Sequence, residues 1–413
     1  MAYGFHVHPK EYTADVRGFS FVIEKDGDVY KAYKSGKGLI FEDNDASTVI
    51  QSVLNSLTKG GLVFIKSGDY ELSSTLSFSS KYIIIVGEGA GSTRLIFKGG
   101  VNGIEISKET TRPWFKLVDI VLRADTSGSG YGILADDVSR IEVNRCLIEY
   151  FEIGVYLRNR VWDGKITNSW LYENTQAIKL ENDCTNILIE GNTIGGTNTS
   201  LGVGVTRGSD GVSRGNTIIG NWFETGAENN TGILIDDAYH NKVIANIFAT
   251  AVYKAVDING VDASAVRNIV EGNIFYNSGT SVHIHGTNAL GNVVKGNTFY
   301  GSAYGVYISG AESNVVIGNV FLGCDVGIRL DSGSDRSVVS SNSIRDGTTA
   351  GIQVVDVSKC IISQNHVYNS ERGIGEGGTA DYNIISDNIL EANATYNLST
   401  VGTNTLATDN KEI

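Results

Sequence analysis

The chain has 413 residues, a formal net charge of −13 and 41% hydrophobic residues, with 50 Gly and only 2 Pro. A single globular core would be unusually large at this length, whereas a repeat array has no such limit. The negative charge argues against a nucleic-acid partner, which requires a basic face. No apolar run reaches the roughly 18 residues of a membrane span, and no signal-peptide pattern opens the sequence. We therefore expect neither a nucleic-acid partner nor a membrane partner.

The N-terminal region shows a hairpin pattern followed by a helix pattern. Residues 19–33 alternate apolar and polar side chains around Lys25-Asp26-Gly27-Asp28, which predicts a β-hairpin. Asp45 then precedes apolar residues at helical spacing, and Gly60 and Gly61 follow them. We predict an N-terminal hairpin or extension at 1–44 and a helix at 45–60 that caps the strands behind it.

From Asn144 onward one phrase recurs about every 24 residues. Five copies read Asn-x-Phe, at 221–223, 246–248, 273–275, 297–299 and 319–321, and each precedes a small residue and alternating apolar positions. Such a fixed period indicates a solenoid, because each repeat buries its apolar face only by stacking on its neighbours. The gaps are too short and too polar for the helices of a doubly wound sheet. We predict an all-β, right-handed, single-stranded parallel β-helix over 45–413, with regular coils at about 61–410.

A resemblance to a known family supports this fold. The segment Val49-Ile50-Gln51, followed by Gly60-Gly61-x-Val63-Phe64-Ile65-x-x-Gly68-x-Tyr70, resembles the N-terminal signature of the pectate-lyase-like superfamily of right-handed parallel β-helices. The family usually has Pro where this chain has Lys66. The signature covers about 25 residues, and the repeats behind it cover most of the remaining chain.

Stacked repeats place equivalent residues in columns. The Asn column predicts an amide ladder inside a bend, and the Phe column predicts an inward aromatic stack. The middle residue of each apolar-x-apolar strand faces solvent, which on four adjacent repeats gives Asp257, His283, Tyr307 and Arg329. A second outward column and its flanks add polar residues to the same region: Asp236, Asp237, His240, Asn259, His285 and Asp331.

Carboxylates, imidazoles, a phenol and a guanidinium are the groups that acid–base chemistry on a sugar ring requires. A merely solvated strand face is the alternative, but it would favour Thr, Ser, Lys and Glu. The predicted catalytic residues are Asp236, Asp237, Asp257, His283 and Tyr307. The predicted substrate-binding residues are His285, Arg329, Asp331, Asn259, His240, Lys179 and Arg158. For Lys179 and Arg158, simple surface ion pairing is the alternative.

These groups predict a glycoside hydrolase that cleaves a polysaccharide, with a polysaccharide lyase or C5-epimerase as the alternative. In the first, two carboxylates hydrolyse a glycosidic bond, and their separation sets the stereochemistry. The order Asp236-Asp237, Asp257, His283-x-His285-Gly286 and Arg329 resembles the polygalacturonase family, although the order of the acids differs and Asp331 replaces a Lys. In the second, Arg329 or Lys179 neutralises a uronate carboxylate while His283 or Tyr307 acts as base and acid in a lyase or C5-epimerase.

A non-catalytic carbohydrate-binding or tailspike-like rod is the third interpretation. We expect a polysaccharide partner, which would be acidic under the second interpretation. We expect the protein to be a monomer or homotrimer. Its expected location is outside the cell or on a cell or virion surface. No cofactor is required, although Asp236, Asp237 and Asp257 offer the oxygen ligands that Ca²⁺ prefers. The four cysteines lack metal-binding or disulfide spacing and are predicted to be buried thiols.

Overall fold

The computed structural model describes residues 19–209, 211–225, 230–249 and 253–413. These residues form a right-handed parallel β-helix of about 14 turns, of which only 3% is helical, so the predicted fold is confirmed. Residues 1–18 of the predicted extension lie outside the described residues. No helix in the described ranges has the length and apolar character needed to cross a bilayer.

Each coil adds one strand to each of three parallel sheets, here called the first, second and third sheets in chain order. The parallel strands of the first sheet are Gly60–Ile65, Tyr82–Gly87, Trp114–Val118, Arg140–Asn144, Lys165–Thr167, Leu188–Glu190, Thr217–Ile219, Lys242–Ile244, Ile269–Glu271, Val293–Lys295, Val315–Ile317, Val338–Ser340, Ile361–Ser363, Ile384–Ser386 and Leu406–Thr408. Those of the second sheet are Gly68–Leu72, Thr93–Phe97, Val121–Ala124, Leu147–Glu149, Trp170–Tyr172, Thr193–Gly196, Trp222–Thr225, Ile247–Phe248, Ile274–Tyr276, Thr298–Tyr300, Val320–Leu322, Ser343–Arg345, His366–Tyr368, Ile389–Glu391 and Lys411–Glu412. Those of the third sheet are Leu76–Ser79, Ile104–Ser107, Tyr131–Asp136, Ile153–Arg158, Gln176–Glu181, Leu201–Thr206, Thr231–Asp236, Lys254–Asn259, Thr280–His285, Tyr304–Ser309, Val326–Asp331, Ala350–Val355, Arg372–Gly377 and Tyr396–Ser399.

The N-terminal end of the β-helix is covered by an antiparallel three-stranded meander and a short α-helix. Three antiparallel strands, Phe21–Asp26, Val29–Lys34 and Gly38–Asp43, join the first sheet through the pairing of Phe21–Asp26 with Gly60–Ile65. The α-helix Ala46–Ser56 begins after Asp45, whose carboxylate accepts a hydrogen bond from the Ser47 N–H. The helix ends at Ser56, before Gly60, because Gly60 and Gly61 already belong to the first parallel strand.

The Asn and Phe columns form the internal framework of the middle coils. The Asn column lies in the bend between the first and second sheets. From Asn192 to Asn410, each Asn side chain donates a hydrogen bond to the Asn of the next coil. Asn273 Nδ2, for example, donates to Asn297 Oδ1 over 3.0 Å. The five Phe rings are fully buried and stack with centroid separations between 4.5 and 4.9 Å. Both columns are buried, so they serve the scaffold.

A second amide ladder lies in the bend before the first sheet, and the sequence pattern did not predict it. Its members are Asn216, Asn241, Asn268, Asn292 and Asn314. The side-chain oxygen of each of the last four accepts one hydrogen bond from the backbone N–H and one from the side-chain Nδ2 of the member before it. The two ladders satisfy buried backbone groups at two of the three bends of each coil. The coils that carry both ladders are therefore well suited to hold outward side chains in fixed positions.

Candidate functional site

The register of the third sheet aligns four chemically active side chains along the helix axis. Leu234 pairs with Asp257, Asp257 with His283, His283 with Tyr307, and Tyr307 with Arg329. Their strand neighbours Val256, Ile258, Val282, Ile284, Val306 and Ile308 are fully buried, so alternation turns the four side chains outward. Adjacent coils are roughly 4.8 Å apart, and contact between successive side chains is the direct result.

Asp257 is the centre of a polar network. Its Oδ1 lies 3.0 Å from His283 Nδ1, and its Oδ2 accepts a hydrogen bond of 2.8 Å from Lys254 Nζ. His285 Nε2 also lies 3.1 Å from Oδ1. The carboxylate is only 7% exposed, so its charge is compensated by these neighbours rather than by water.

Lys254 was not predicted from the sequence. Ala255 and Val256 are both fully buried, and these two consecutive inward residues break the alternation of the strand. Lys254 and Asp257 therefore share the outer face although they are three residues apart. The small residue before each apolar-x-apolar triplet was the sequence signal for this break in alternation. Gly305 lies at the equivalent position, and Tyr304 and Tyr307 likewise share the outer face.

The His283 ring lies between a second imidazole and a phenol. It stacks on His285 with a centroid distance of 4.3 Å and on Tyr307 with one of 5.0 Å. Its Nε2 lies 3.3 Å from Ser309 Oγ, so both ring nitrogens have a polar neighbour. Directly after His285, Gly286 has φ of 90°, and a Cβ there would lie 2.5 Å from the Gly260 carbonyl carbon. Only glycine permits this close approach of the loop at 260–268, here called the 260 loop.

The C-terminal half of the line is a phenol, a carboxylate and a guanidinium. The Tyr307 hydroxyl donates to Asp331 Oδ2 over 3.1 Å, and Arg329 Nη2 lies 2.7 Å from the same oxygen. Arg329 also lies over the Tyr307 ring at 5.7 Å, while its Nη1 makes only a 3.4 Å contact with Gln353. One guanidinium nitrogen is thus weakly held at the outer surface.

Asp236 and Asp237 have different environments although they are adjacent. Asp236 is on the outer face, where its Oδ1 accepts a hydrogen bond of 2.6 Å from Asn259 Nδ2. Asp237 has φ of 50° and accepts a hydrogen bond from the Ala263 N–H, so its buried carboxylate holds the 260 loop. The structure does not bring Asp237 into the network around Asp257.

The other predicted substrate-binding residues lie apart from this network. His240 lies in the bend before the first sheet, where its ring packs edge-on against Tyr239. Lys179 Nζ forms an ion pair with Glu181 over 2.8 Å, and Arg158 Nε forms one with Asp136 over 2.9 Å. Lys179 is three coils from Asp257, or roughly 14 Å along the sheet.

Burial and charge move the pKa values in this region in opposite directions. Burial raises the pKa of Asp257, but His283, His285 and Lys254 outweigh burial and hold it well below its ordinary value. Burial lowers the pKa of His283, and the Asp257 carboxylate offsets this only in part. Burial raises the pKa of Asp236 despite the opposing hydrogen bond from Asn259, and neighbouring carboxylates raise it further.

Two cavities lie elsewhere along the third sheet, toward its N-terminal end. One of about 710 Å³ and one of about 380 Å³ share Ser107 and Asp136 in their walls. Asp136 is five coils from Asp257, or roughly 24 Å. In the larger cavity Asp137 is bound by three cations, Lys108, Arg112 and Arg160. The larger cavity is lined by ion-paired groups without an imidazole or phenol. The network around Asp257 is therefore the candidate site.

Three ligand atoms in the network lie close enough to share one ion. One ligand atom from each of Asp257, His283 and His285 lies within 4.8 Å of the other two. This is the sole such group of three His, Cys, Asp or Glu residues in the described ranges. It is not the predicted calcium set of Asp236, Asp237 and Asp257, which stays a prediction.

Comparison with solved structures identifies similar folds. The chain resembles ORF18 of Geobacillus virus E2 with 17% identity and a TM-score of 0.54, covering 72% of this chain and 68% of that one. It resembles DFA-IIIase from Arthrobacter chlorophenolicus A6 with 15% identity and a TM-score of 0.51, covering 78% and 80%. A third similar structure is the A-module of the mannuronan C-5 epimerase AlgE6 from Azotobacter vinelandii, with 13% identity, a TM-score of 0.48 and coverage of 89% and 95%. At these identities the first two likenesses show the fold alone.

Comparison by sequence identifies a family. None of the curated proteins matches the chain. A family model described as periplasmic copper-binding protein (NosD) matches residues 91–293 and 279–411, which together make up more than half of the chain. The predicted membership of the pectate-lyase-like β-helix superfamily is confirmed as well. The chain therefore belongs to the NosD family.

Proposed function

We propose that the chain is a carbohydrate-active enzyme that abstracts the C5 proton of a uronate residue in an acidic polysaccharide, as a lyase or an epimerase. The observation that carries this proposal is the unbroken line of contacts from Lys254 through Asp257, His283 and Tyr307 to Arg329. It supplies a base, an acid and a cation on one rigid face, which is what proton abstraction next to a carboxylate requires.

His283 is the proposed base. Asp257 accepts the hydrogen bond from Nδ1–H, which leaves the lone pair of Nε2 directed to the side of Ser309. The carboxylate also stabilises the imidazolium that forms once Nε2 has taken the C5 proton. Lys254 keeps Asp257 ionised and fixed, so it acts as a positioning residue.

Tyr307 and Arg329 complete the proposed reaction. Arg329 Nη1 binds the uronate carboxylate, which accepts the electron pair released from the C5–H bond. In a lyase these electrons form the C4–C5 double bond, the C4–O bond breaks, and the Tyr307 hydroxyl protonates the departing oxygen. In an epimerase the C4–O bond stays intact and Tyr307 returns a proton to the opposite face of C5. Asp331 and Arg329 hold the phenol in position for either step.

Hydrolysis of a glycosidic bond is the second candidate. It is favoured by Asp236, whose pKa is raised by burial and so suits a general acid. It is disfavoured because hydrolysis needs a second carboxylate, and the neighbouring ones already have partners. Asp257 is bound by Lys254 and His283, and Asp331 is bound by Arg329. A polymeric substrate would suit a location outside the cell or on a virion surface. The outer face of the third sheet would be available to this substrate in a monomer or a homotrimer.

The test is a screen of uronate and neutral polysaccharides with mass analysis of the products. Elimination generates an unsaturated uronate with ultraviolet absorbance and adds no water, epimerisation exchanges the C5 proton with solvent, and hydrolysis adds one water. We expect elimination or epimerisation. The activity should be lost in His283→Gln and kept in the control His366→Gln, because His366 lies on the second sheet. Products that contain added water would overturn the proposal in favour of the second candidate. Unchanged polymers throughout would favour the non-catalytic rod.

A further inference from the structure

We infer that the second sheet carries a slot for one neutral pyranose residue of a β-glucan, between the indoles of Trp170 and Trp222. The register of the sheet builds this slot. Trp170 pairs with Thr193, and Thr193 pairs with Trp222, so the two indoles lie on either side of one coil. Trp170 is 53% exposed and Trp222 is 43% exposed, although tryptophan is usually buried in folded proteins. The slot and the network around Asp257 lie on different sheets, so the inference does not depend on the proposed function.

Other aromatic rings of the same sheet indicate the width of the slot. Tyr276 and Tyr300 are paired on adjacent coils, and their rings stack with centroids 5.0 Å apart and 9° between the planes. Trp170 and Trp222 are two coils apart, which is roughly 9.6 Å along the axis. A ring above Thr193 would therefore lie about 4.8 Å from each indole, within the range at which rings stack. The space between the indoles is the space of one ring.

The coil between the indoles has only short outward residues, Thr193 and Gly195. A Cβ at Gly195 would clash with the Glu224 carbonyl oxygen, so only glycine fits there. Gly195 is also the position between Tyr172 and Glu224, which are its paired residues on the two neighbouring coils. The floor of the slot is therefore low, and long side chains form a wall on each side of it.

The charge at the edge of the slot favours a neutral sugar. Glu224 is exposed. Burial raises the pKa of Tyr172, and the charges of Glu173 and Glu224 raise it further, so Glu224 acts on the phenol across Gly195. The Glu224 carboxylate can accept hydrogen bonds from sugar hydroxyls, and it would repel the carboxylate of a uronate.

The two indoles favour a ring with C–H groups on both faces. The face of an indole carries negative charge density, which attracts C–H groups and not hydroxyl oxygens. A glucose residue in a β-glucan has equatorial substituents and presents C–H groups to both sides. A nucleobase would also fit between two indoles, but its phosphates would approach a chain with a net charge of −13. The ligand class is therefore a neutral glucan.

The experiment titrates cellohexaose into the full chain, with calorimetry to measure Kd and tryptophan fluorescence to report contact with the indoles. We expect one site per chain and a change in fluorescence. Trp170→Ala and Trp222→Ala should each weaken binding by at least about fivefold, because each removes one stacking contact. Trp162→Ala is the matched control and should leave binding unchanged. The Trp162 indole is 39% exposed, but it lies over Arg112 and outside the second sheet.

Thr193→Phe separates a slot from a flat binding surface. The added ring would occupy the space between the indoles, so a slot would lose its ligand, whereas a flat row of three rings would bind the sugar more tightly. Unchanged or tighter binding in Thr193→Phe would overturn the inference. Equal losses in Trp222→Ala and Trp162→Ala, or no binding of cellohexaose, would also overturn it. Melting temperatures of the variants check that each one is folded.

Two further measurements separate this inference from other uses of the same surface. Sedimentation tests self-association, and a dimer or trimer that Trp222→Ala dissociates, without binding of cellohexaose, would assign the surface to a second copy and overturn the inference. Turnover of uronate polymers tests the proposed function separately. Binding of cellohexaose without such turnover would leave the inference standing and count against the proposed function. Turnover without binding of cellohexaose would do the reverse.

Discussion

His283 Nδ1 lies 3.0 Å from Asp257 Oδ1 although 26 residues separate the two positions in the chain. One coil of the solenoid accounts for this separation, because their strands are neighbours in the third sheet. The contact therefore depends on coil length as much as on residue type. An insertion within the coil outside a bend would shift the register and turn one of the two side chains inward.

Asp257→Asn tests whether this contact orients the base. The amide keeps the size of the side chain but removes the charge that fixes the Nδ1–H tautomer and supports the imidazolium. We expect kcat on a uronate polymer to fall by about a hundredfold to ten-thousandfold. Steady-state kinetics give the value, and the melting temperature checks that the fold is retained. Wild-type kcat in a folded Asp257→Asn variant would remove Asp257 from the site.

Tyr307→Phe tests the proposed acid. The substitution keeps the ring that stacks on His283 but removes the hydroxyl that donates to Asp331. We expect kcat to fall by about a hundredfold or more with little change in KM. Tyr276→Phe is the matched control, since Tyr276 is an exposed phenol that stacks on Tyr300 in the second sheet. Equal activity of the two variants would contradict the assignment.

Asp236→Asn is expected to stabilise the protein in a pH-dependent manner. Burial raises the pKa of Asp236 above its unfolded value, so the folded state favours the protonated form. Ionisation of Asp236 therefore costs stability above the folded pKa and costs nothing below the unfolded pKa. The amide keeps an oxygen for Asn259 and removes this cost. Thermal unfolding should show a higher melting temperature for Asp236→Asn near neutral pH, with the difference shrinking in acid. A difference that grows in acid would be inconsistent with the raised pKa.

Asn297→Ala tests the amide ladder. Asn297 Oδ1 accepts bonds from the N–H and Nδ2 of Asn273, and its own Nδ2 donates to Asn319. Removing the side chain leaves these buried groups unpaired, so we expect a loss of about 2 to 3 kcal/mol in the free energy of unfolding. Asn288→Ala removes one 3.3 Å hydrogen bond at a partly exposed position and should change stability by less than about 0.5 kcal/mol. Urea unfolding of both variants makes the comparison, and similar losses would show that the ladder adds no special stability.

The sequence by itself determined the scaffold of this protein. Asn221, Phe223 and their equivalents recur at the period of one coil. Identical side chains at this period lie directly above one another in a solenoid, so they stack. Strict alternation around Val282 and Ile284 also predicted that His283 faces outward. Local spacing was sufficient in these cases because the repeat and the strand share the same simple periodicities.

Only the tertiary structure decided which outward residues act together. Lys254 reaches Asp257 because two consecutive residues turn inward, and Asp237 leaves the outer face because its backbone enters the left-handed region. His240 lies in another bend, although it is only four residues after Asp236. Such differences arise from bend geometry and loop packing, which vary between coils and leave no periodic trace in the sequence.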